Sequence, residues 1–144
     1  APVFIINPKK KIISAIHVGW KGAFKKIIYK AIYKFIKKGS NVKDLIVVIG
    51  PCISQNNYEV KKDFLVKFSN QSKKNIRFFK FRKNKIYFSL NEYIKGQVID
   101  IGVKKVEIIN KDTYINKNNF FSSRRSLKNK YYDYGRNISV IMIK

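Results

Sequence analysis

The chain has 144 residues, of which 45% are hydrophobic and 15% aromatic, so it is long and apolar enough to fold and is not a disordered segment. A single cysteine excludes an internal disulfide framework, and no apolar run approaches the roughly 18 residues that span a bilayer, so we expect a cytoplasmic protein without a membrane partner. The formal net charge of +24 would attract polyanions, but only five of the 32 basic residues are arginines and the lysines are spread along the chain, which favours a solvated basic surface over a specific nucleic-acid interface.

The first part of the chain predicts two strands and a long helix. Residues 3–7 and 11–18 are apolar runs on either side of a turn, and the second run is so continuous that we expect a strand buried on both faces. From Gly22 to Lys38, apolar residues recur at spacings of three and four, which predicts one amphipathic helix with Gly39 as its C-terminal stop. Its expected core face carries Phe24, Ile28, Ala31, Ile32 and Phe35.

The rest of the chain alternates short strands with two further helices. The predicted strands lie at 45–49, 76–81, 85–88, 106–109 and 138–143, and the predicted helices at 60–69 and 90–101. No internal repeat or linker interrupts this order. Interleaved strands and helices predict a single domain, residues 1–144, of the mixed α/β class.

His17 and Trp20, the one histidine and the one tryptophan, lie together where a predicted strand meets the predicted helix. Ligands of α/β sheets bind beyond the carboxyl ends of strands, and a helix that begins at Gly22 would direct its free N–H groups at a phosphate there. Cys52 follows another predicted strand. A zinc site needs three or four ligands, which one histidine and one cysteine cannot complete. From the residues alone, three interpretations stay open: a metal or catalytic site, a nucleic-acid contact, and ordinary packing.

Six short motifs follow one another in a fixed order along the whole chain. They are HVGWKG (17–22), GPCIS with YEV (50–54 and 58–60), YFSLNEYIKGQVIDIGV (87–103), DTYI (112–115), FFSSRR (120–125) and GRNISVIMI (135–143). Together they resemble the YfiH family, which carries the older name multicopper polyphenol oxidase (laccase) and whose members are described as purine nucleoside phosphorylases. The resemblance implies a YfiH-like mixed β-sheet sandwich flanked by helices.

The resemblance also implies a metal site, with zinc as the usual ion and copper as the alternative. Three ligands hold the metal in the family pattern: a histidine in a Gln-Val-His stretch, a cysteine in a Thr-Ala-Asp-Cys stretch, and the histidine to which His17 corresponds. The first two would precede Ala1. We therefore expect the chain to be the C-terminal portion of such a domain and to bind zinc weakly by itself.

The motifs assign further roles by resemblance. Cys52 would line the pocket or act as a nucleophile paired with His17, and Trp20 would form an apolar wall or stack on a purine. The candidates for phosphate binding are Lys21, Arg124 and Arg125. The chain departs from the family pattern at Lys21, Ser89, Asp112 and Ser123, where the family has Arg, Asp, Cys and Tyr.

The implied activity is the phosphorolysis of adenosine, inosine, guanosine and S-methyl-5′-thioadenosine, with adenosine deamination as a second, hydrolytic activity at the metal. Three alternatives stay open. The first is a copper-dependent polyphenol oxidase, which would need more histidines than the one present. The others are a basic nucleic-acid-binding domain and an inactive remnant.

Overall fold

The computed structural model of the protein describes residues 1–115 and 119–144. Along the chain the elements are β1 (Pro2–Asn7), β2 (Ile12–His17), α1 (Trp20–Phe24), α2 (Ile27–Lys37), β3 (Ile46–Ile49), β4 (Glu59–Val60), α3 (Lys62–Gln71), β5 (Phe79–Arg82), β6 (Lys85–Phe88), α4 (Leu90–Asp100), β7 (Lys105–Ile108) and α5 (Ser123–Lys128), with 3₁₀ helices at Val42–Asp44, Gln55–Asn57 and Lys73–Phe78. The predicted mixed α/β class is confirmed. Within these described residues, no helix has the length and apolarity that crossing a membrane requires.

Four strands form the main sheet, in the order β2-β1-β3-β7. β1 pairs antiparallel with both β2 and β3, and β3 pairs parallel with β7. Because β1 is central, its inward side chains Val3 and Ile5 are completely buried. The strands predicted at 3–7, 45–49 and 106–109 are confirmed, within one or two residues at their ends.

β2 forms as predicted but differs from its prediction in burial. It pairs with β1 alone among the described strands, none of its residues is fully buried, and Ala15 and His17 are exposed. The expectation of burial on both faces is wrong, because an apolar run does not reveal whether a strand is central or at the edge of its sheet. Its position at the edge leaves His17 accessible at the end of the strand.

The helix predicted from Gly22 to Lys38 is two helices, α1 and α2. They are separated at Lys26, whose φ of 56° places it in the left-handed region through which no α-helix continues. The predicted core face is nevertheless confirmed, since Ile28, Ile32 and Phe35 are buried. The apolar spacing continues across the break because both helices direct their apolar sides into the same core.

The smaller sheet has the order β4-β6-β5 and is antiparallel throughout. The helices predicted at 60–69 and 90–101 are confirmed as α3 and α4. The strand predicted at 76–81 begins only at Phe79, because the preceding residues form a 3₁₀ helix.

Aromatic rings fill the core between the smaller sheet and the helices. Phe68 of α3 is fully buried at the centre of this aromatic cluster. Its ring centroid lies 4.6 to 6.0 Å from those of Phe24, Phe64, Phe79, Phe88 and Tyr93. Contacts of this kind add to the hydrophobic gain of burial and fix the relative positions of α1, α3 and α4.

The C-terminal segment after α5 is irregular. The strand predicted at 138–143 does not form, and Ile138, Val140 and Met142 are 89%, 73% and 72% exposed. Alternation of apolar residues produces a strand only where a neighbouring strand supplies hydrogen bonds, and no described strand lies beside this segment.

Candidate active site

A cavity of about 860 Å³ opens at the end of β2. Four stretches of chain supply most of its walls: 15–20 at the end of β2, 51–58 after β3, 120–127 around the start of α5, and 134–139 in the C-terminal segment. None of the lining residues in the described part of the chain is acidic. A cavity with aromatic walls and basic side chains suits a ligand that has both a flat apolar part and a negative charge.

His17 lines this cavity at the last position of β2. Partial desolvation at the cavity wall lowers the pKa of the His17 imidazole below its ordinary value. The imidazole is therefore neutral at pH 7, the state in which a ring nitrogen accepts a proton or binds a metal ion.

Trp20 begins α1 and lines the same cavity. Its ring packs against Phe64 with centroids 5.1 Å apart, and the ammonium groups of Lys67 and Lys21 lie 5.5 and 5.7 Å from its centroid. These neighbours hold the indole as an apolar wall. Lys21 is not among the lining residues, so the structure does not bring it to the cavity that the other predicted site residues share.

The helix start at which a phosphate site was predicted differs from the prediction. The helix begins at Trp20, with Gly19 as its N-cap, and not at Gly22. With only five residues it has too few aligned peptide dipoles to favour an anion by itself.

Cys52 also lines the cavity and is buried. Burial raises the pKa of the Cys52 thiol above its ordinary value. The thiol donates a weak hydrogen bond to the Ile53 carbonyl, with 3.6 Å between sulfur and oxygen. A protonated, buried thiol favours the wall role over the nucleophile role, because the thiolate is the nucleophilic form.

Asp112 fastens two of the cavity walls to each other, a role that sequence reasoning missed. Its carboxylate accepts hydrogen bonds from Ser54 Oγ at 2.5 Å, Asn57 Nδ2 at 2.6 Å and the Tyr114 backbone N–H at 2.8 Å. Burial alone would raise the pKa of Asp112, but these hydrogen bonds outweigh it and the pKa lies below its ordinary value. The loop that carries Cys52 is thereby held against the chain around Asp112.

Arg124 and Arg125 are adjacent in α5 but have different surroundings. Arg124 lines the cavity, with its guanidinium carbon 5.3 Å from the centroid of the Tyr58 ring and Nη1 donating to the Glu59 carbonyl at 3.1 Å. It is exposed, so further N–H donors are available to a ligand.

Arg125 forms hydrogen bonds with backbone carbonyls of the protein. Its guanidinium donates to the carbonyls of Thr113 at 3.1 Å, Tyr114 at 2.9 Å and Phe120 at 2.5 Å. It is not among the cavity's lining residues, so the structure gives it the task of holding the chain before α5. Of the six residues singled out from sequence, the structure brings four to one cavity: His17, Trp20, Cys52 and Arg124.

Comparison with known sequences shows the family of the chain. The profile of the family described as multi-copper polyphenol oxidoreductase laccase matches residues 1–144. The chain belongs to this family. It is 35% identical over 145 residues to purine nucleoside phosphorylase RP494 of Rickettsia prowazekii, covering 99% of this chain and 60% of that protein. It is 32% identical over 148 residues to the purine nucleoside phosphorylase of Bacteroides thetaiotaomicron, covering 99% of this chain and 53% of that protein.

Solved structures share the fold. The structure of the hypothetical protein YfiH from Bacillus licheniformis superposes with a TM-score of 0.79 at 26% identity, over 88% of this chain and 49% of that one. Protein NMB0706 of Neisseria meningitidis, at 22% identity and a TM-score of 0.77, is similar in fold over 86% of this chain and 50% of its own. The resemblance to the YfiH family is confirmed, and the chain spans about half the length of these structures.

The metal that the family name implies can be tested against the residues of the cavity. His17 is the chain's one histidine. Across residues 1–115 and 119–144, no three His, Cys, Asp or Glu side chains are grouped so that they could hold an ion. One imidazole does not make a zinc or copper site, so this donor set does not fit the metal.

Sequence reasoning also missed the C-terminal wall of the cavity. Tyr134, Arg136 and Asn137 line it together with Phe121. Arg136 and Asn137 stand in the motif GRNISVIMI, just before the strand predicted at 138–143, and neither the motif nor that strand shows which distant segments these two residues meet.

Proposed function

We propose that the protein takes part in the cytoplasmic phosphorolysis of purine nucleosides, with the cavity at the end of β2 as the site. The single observation that carries this proposal is the meeting of His17, Trp20 and Arg124 in one cavity without acidic lining residues. The names of the similar proteins in Rickettsia prowazekii and Bacteroides thetaiotaomicron support the same reaction class.

Phosphate would bind at Arg124. Its guanidinium stays charged at every physiological pH and offers a planar fork of N–H donors that matches two phosphate oxygens. The stacking of Arg124 over the Tyr58 ring and its bond to the Glu59 carbonyl fix the side chain before the ligand arrives. No lining carboxylate competes for it among the described residues.

The nucleoside would occupy the aromatic part of the cavity. Trp20, Tyr58 and Phe4 supply apolar ring surface, and a volume of about 860 Å³ lies within the roughly 300–1,000 Å³ of small-molecule sites. The proposed substrates are adenosine, inosine, guanosine and S-methyl-5′-thioadenosine. A base against these rings would place its ribose toward the polar side of the cavity.

In the proposed reaction an oxygen of hydrogen phosphate attacks the ribose C1′, and the bond from C1′ to N9 of the purine breaks. The phosphate proton passes to the departing base, which leaves ribose 1-phosphate and free purine. Positioning of the two reactants in one cavity supplies much of the rate gain, and Arg124 stabilises the phosphate charge during the displacement.

His17 has a proposed role that depends on further ligands. A zinc or copper ion at His17 would need at least two ligands besides those that this chain's described residues group together. Adenosine deamination, which requires an activated water, is proposed only on that condition. The polyphenol oxidase alternative is supported by the family's description alone.

The test measures base release from inosine, with and without inorganic phosphate, by the protein expressed from its complete reading frame. We expect release that requires phosphate and yields ribose 1-phosphate. Arg124→Ala should raise KM for phosphate by about tenfold or more, the equivalent of one charge-assisted contact, while KM for inosine stays within about twofold.

Arg82→Ala is the matched control. Arg82 is likewise an exposed arginine stacked on a tyrosine, 4.9 Å from the Tyr87 ring, but it lies outside the cavity. It should leave both constants unchanged. Base release that is independent of phosphate, or no release at all, would contradict the proposed function.

A further inference from the structure

The C-terminal segment brings a second arginine to the cavity. Arg136 is among the lining residues and is separated in sequence from Arg124 by the end of α5 and the turn that follows it. We propose that Arg136 and Arg124 together bind one dianionic phosphate group, which they approach from two separate segments of the chain. The identity of the ligand rests on the proposed function, while the pairing rests on the presence of both side chains in the lining of one cavity.

The position of Arg136 is fixed by the residues on either side of it. Asn137 accepts a hydrogen bond from the Phe121 N–H at 2.9 Å and donates one to the Phe121 carbonyl at 2.8 Å. Gly135 lies so close to the Phe121 ring that a Cβ there would be 2.6 Å from two of its carbons. Both neighbours of Arg136 are therefore fitted to Phe121, which lies three residues before Arg124 in the other wall.

The partners of Arg136 inside the protein leave it available to an anion. Its guanidinium carbon lies 4.0 Å from the Tyr134 ring centroid, and Nη1 donates to the Tyr134 carbonyl. Asp133 is 3.9 Å from Nη1, but the two side chains are 90% and 70% exposed. A loose exposed ion pair of this kind contributes little and is readily exchanged for a doubly charged ligand.

The chemistry of the pair selects the ligand class. Two guanidinium groups supply two planar donor forks, which match the several oxygens and the charge of hydrogen phosphate better than a monocarboxylate. Both side chains are held against tyrosine rings, Arg124 on Tyr58 and Arg136 on Tyr134. The phosphate could be inorganic, or it could be carried by a nucleotide, and both present the same dianionic group.

The experiment measures the binding of inorganic phosphate by calorimetry in the absence of nucleoside, so that turnover plays no part. We expect Arg136→Ala to weaken phosphate binding by about tenfold or more, in line with the loss of a charge-assisted contact. Arg136→Lys should recover only part of the loss, because the ammonium group lacks the fork. Arg82→Ala, which removes an equal charge from a tyrosine-stacked arginine outside the cavity, should leave binding within about twofold.

A second pair of variants leaves the charge in place and disturbs only its support. Asn137→Ala removes both hydrogen bonds to Phe121, and Gly135→Ala inserts a Cβ against its ring. Each should weaken phosphate binding by about threefold or more while the unfolding midpoint changes little, since this segment buries few side chains.

Binding of adenosine 5′-monophosphate that is tighter than that of phosphate and is lost in Arg136→Ala would assign the site to a nucleotide phosphate, whereas phosphate binding that is unaffected by added adenosine would assign it to the inorganic ion.

Three results would overturn the pairing. The first is phosphate binding that Arg124→Ala weakens and Arg136→Ala does not; this would leave the proposed phosphorolysis intact. The second is an equal loss in Arg136→Ala and Arg82→Ala, which would mean that only the overall positive charge matters. The third is the absence of phosphate binding in the unaltered protein; phosphate-dependent base release, assayed separately, then decides whether the proposed function also fails.

Discussion

The two sides of the cavity are built in different ways. On one side, His17 and Trp20 are attached to a sheet and helices whose aromatic cluster is centred on the fully buried Phe68. On the other side, Arg136 belongs to a segment without regular structure, fastened mainly by the two hydrogen bonds between Asn137 and Phe121. Packing holds the first wall and a few polar contacts hold the second.

This difference indicates how the two walls would serve a ligand. Side chains on a packed scaffold keep their positions whether or not a ligand is present, while a segment with little buried surface opens at low free-energy cost. The wall that carries Trp20 is suited to setting the shape of the nucleoside site. The wall that carries Arg136 is suited to binding an anion through charge and hydrogen bonds.

The largest effect should come from removing the centre of the packed side. Phe68→Ala is expected to lower the free energy of unfolding by about 3–5 kcal/mol, because it removes a fully buried ring and leaves a cavity among five others. Phe81→Ala, at a phenylalanine that is 60% exposed, is the matched control and should cost less than about 1 kcal/mol. Equal losses of unfolding free energy in the two variants, measured by urea unfolding, would contradict the assignment of Phe68 to the core and Phe81 to the surface.

Asp112 tests the connection between the loop of Cys52 and the segment before α5. Asp112→Ala leaves Ser54 and Asn57 without their carboxylate partner and should lower the free energy of unfolding by about 1–3 kcal/mol. The exposed Asp100→Ala should change it by less than about 0.5 kcal/mol.

The pH dependence of this effect has a definite sign. Because the folded-state pKa of Asp112 lies below the ordinary value near 3.8, its stabilising contribution is present at pH values above that ordinary value and is lost as the pH falls through the lowered pKa. Unfolding measured from pH 7 down to pH 2 should show the gap between the unaltered protein and Asp112→Ala narrowing only in the acid range. A gap that closes above pH 5 would contradict the assigned hydrogen bonds.

The reactivity of Cys52 distinguishes a wall from a nucleophile. Its raised pKa and burial predict alkylation by iodoacetamide at pH 7.5 at least about tenfold slower in the folded protein than in the unfolded one. The chain's only cysteine serves as its own reference in urea. Alkylation that is faster in the folded state would restore Cys52 as a candidate nucleophile.

The smallest effect belongs to the C-terminal side. Leu127 lines the cavity yet is 69% exposed, so Leu127→Ala should change the free energy of unfolding by no more than about 0.5 kcal/mol. A loss above 2 kcal/mol, measured in the same urea titration, would show that this side is packed as firmly as the other.

The helices and strands of the packed side can be predicted from the sequence because the spacing of their apolar residues indicates which side chains are buried. Ile28, Ile32 and Phe35 recur at helical spacing and are buried as predicted. The break between α1 and α2 at Lys26 could not be predicted from the sequence. Lysine has no strong preference for the left-handed conformation, and the spacing of apolar residues continues through it. The absence of a strand at 138–143 could not be predicted either. A strand forms only beside a neighbouring strand, and the spacing of apolar residues does not show whether there is one.

The residues of the site could be predicted only in part, for a related reason. Arg124 and Arg125 look equivalent in the motif FFSSRR, but consecutive helical residues point about 100° apart, so one meets the cavity and the other meets backbone carbonyls. The meeting of His17, Cys52, Arg124 and Arg136 requires the tertiary fold. The family resemblance supplied candidate residues, and the contacts then separated those in the cavity from those outside it.

The most direct test of the central claim is hydrogen exchange of the protein with inosine and phosphate present. The cavity account predicts slower exchange of backbone amides at 17–20, 52–58 and 121–139, with the largest change at 134–139, where the segment is least packed in the absence of ligand. The amides around Phe68 should be unchanged. Slowing confined to a surface away from these segments, or no slowing at saturating ligand, would contradict the claim that this cavity is the site.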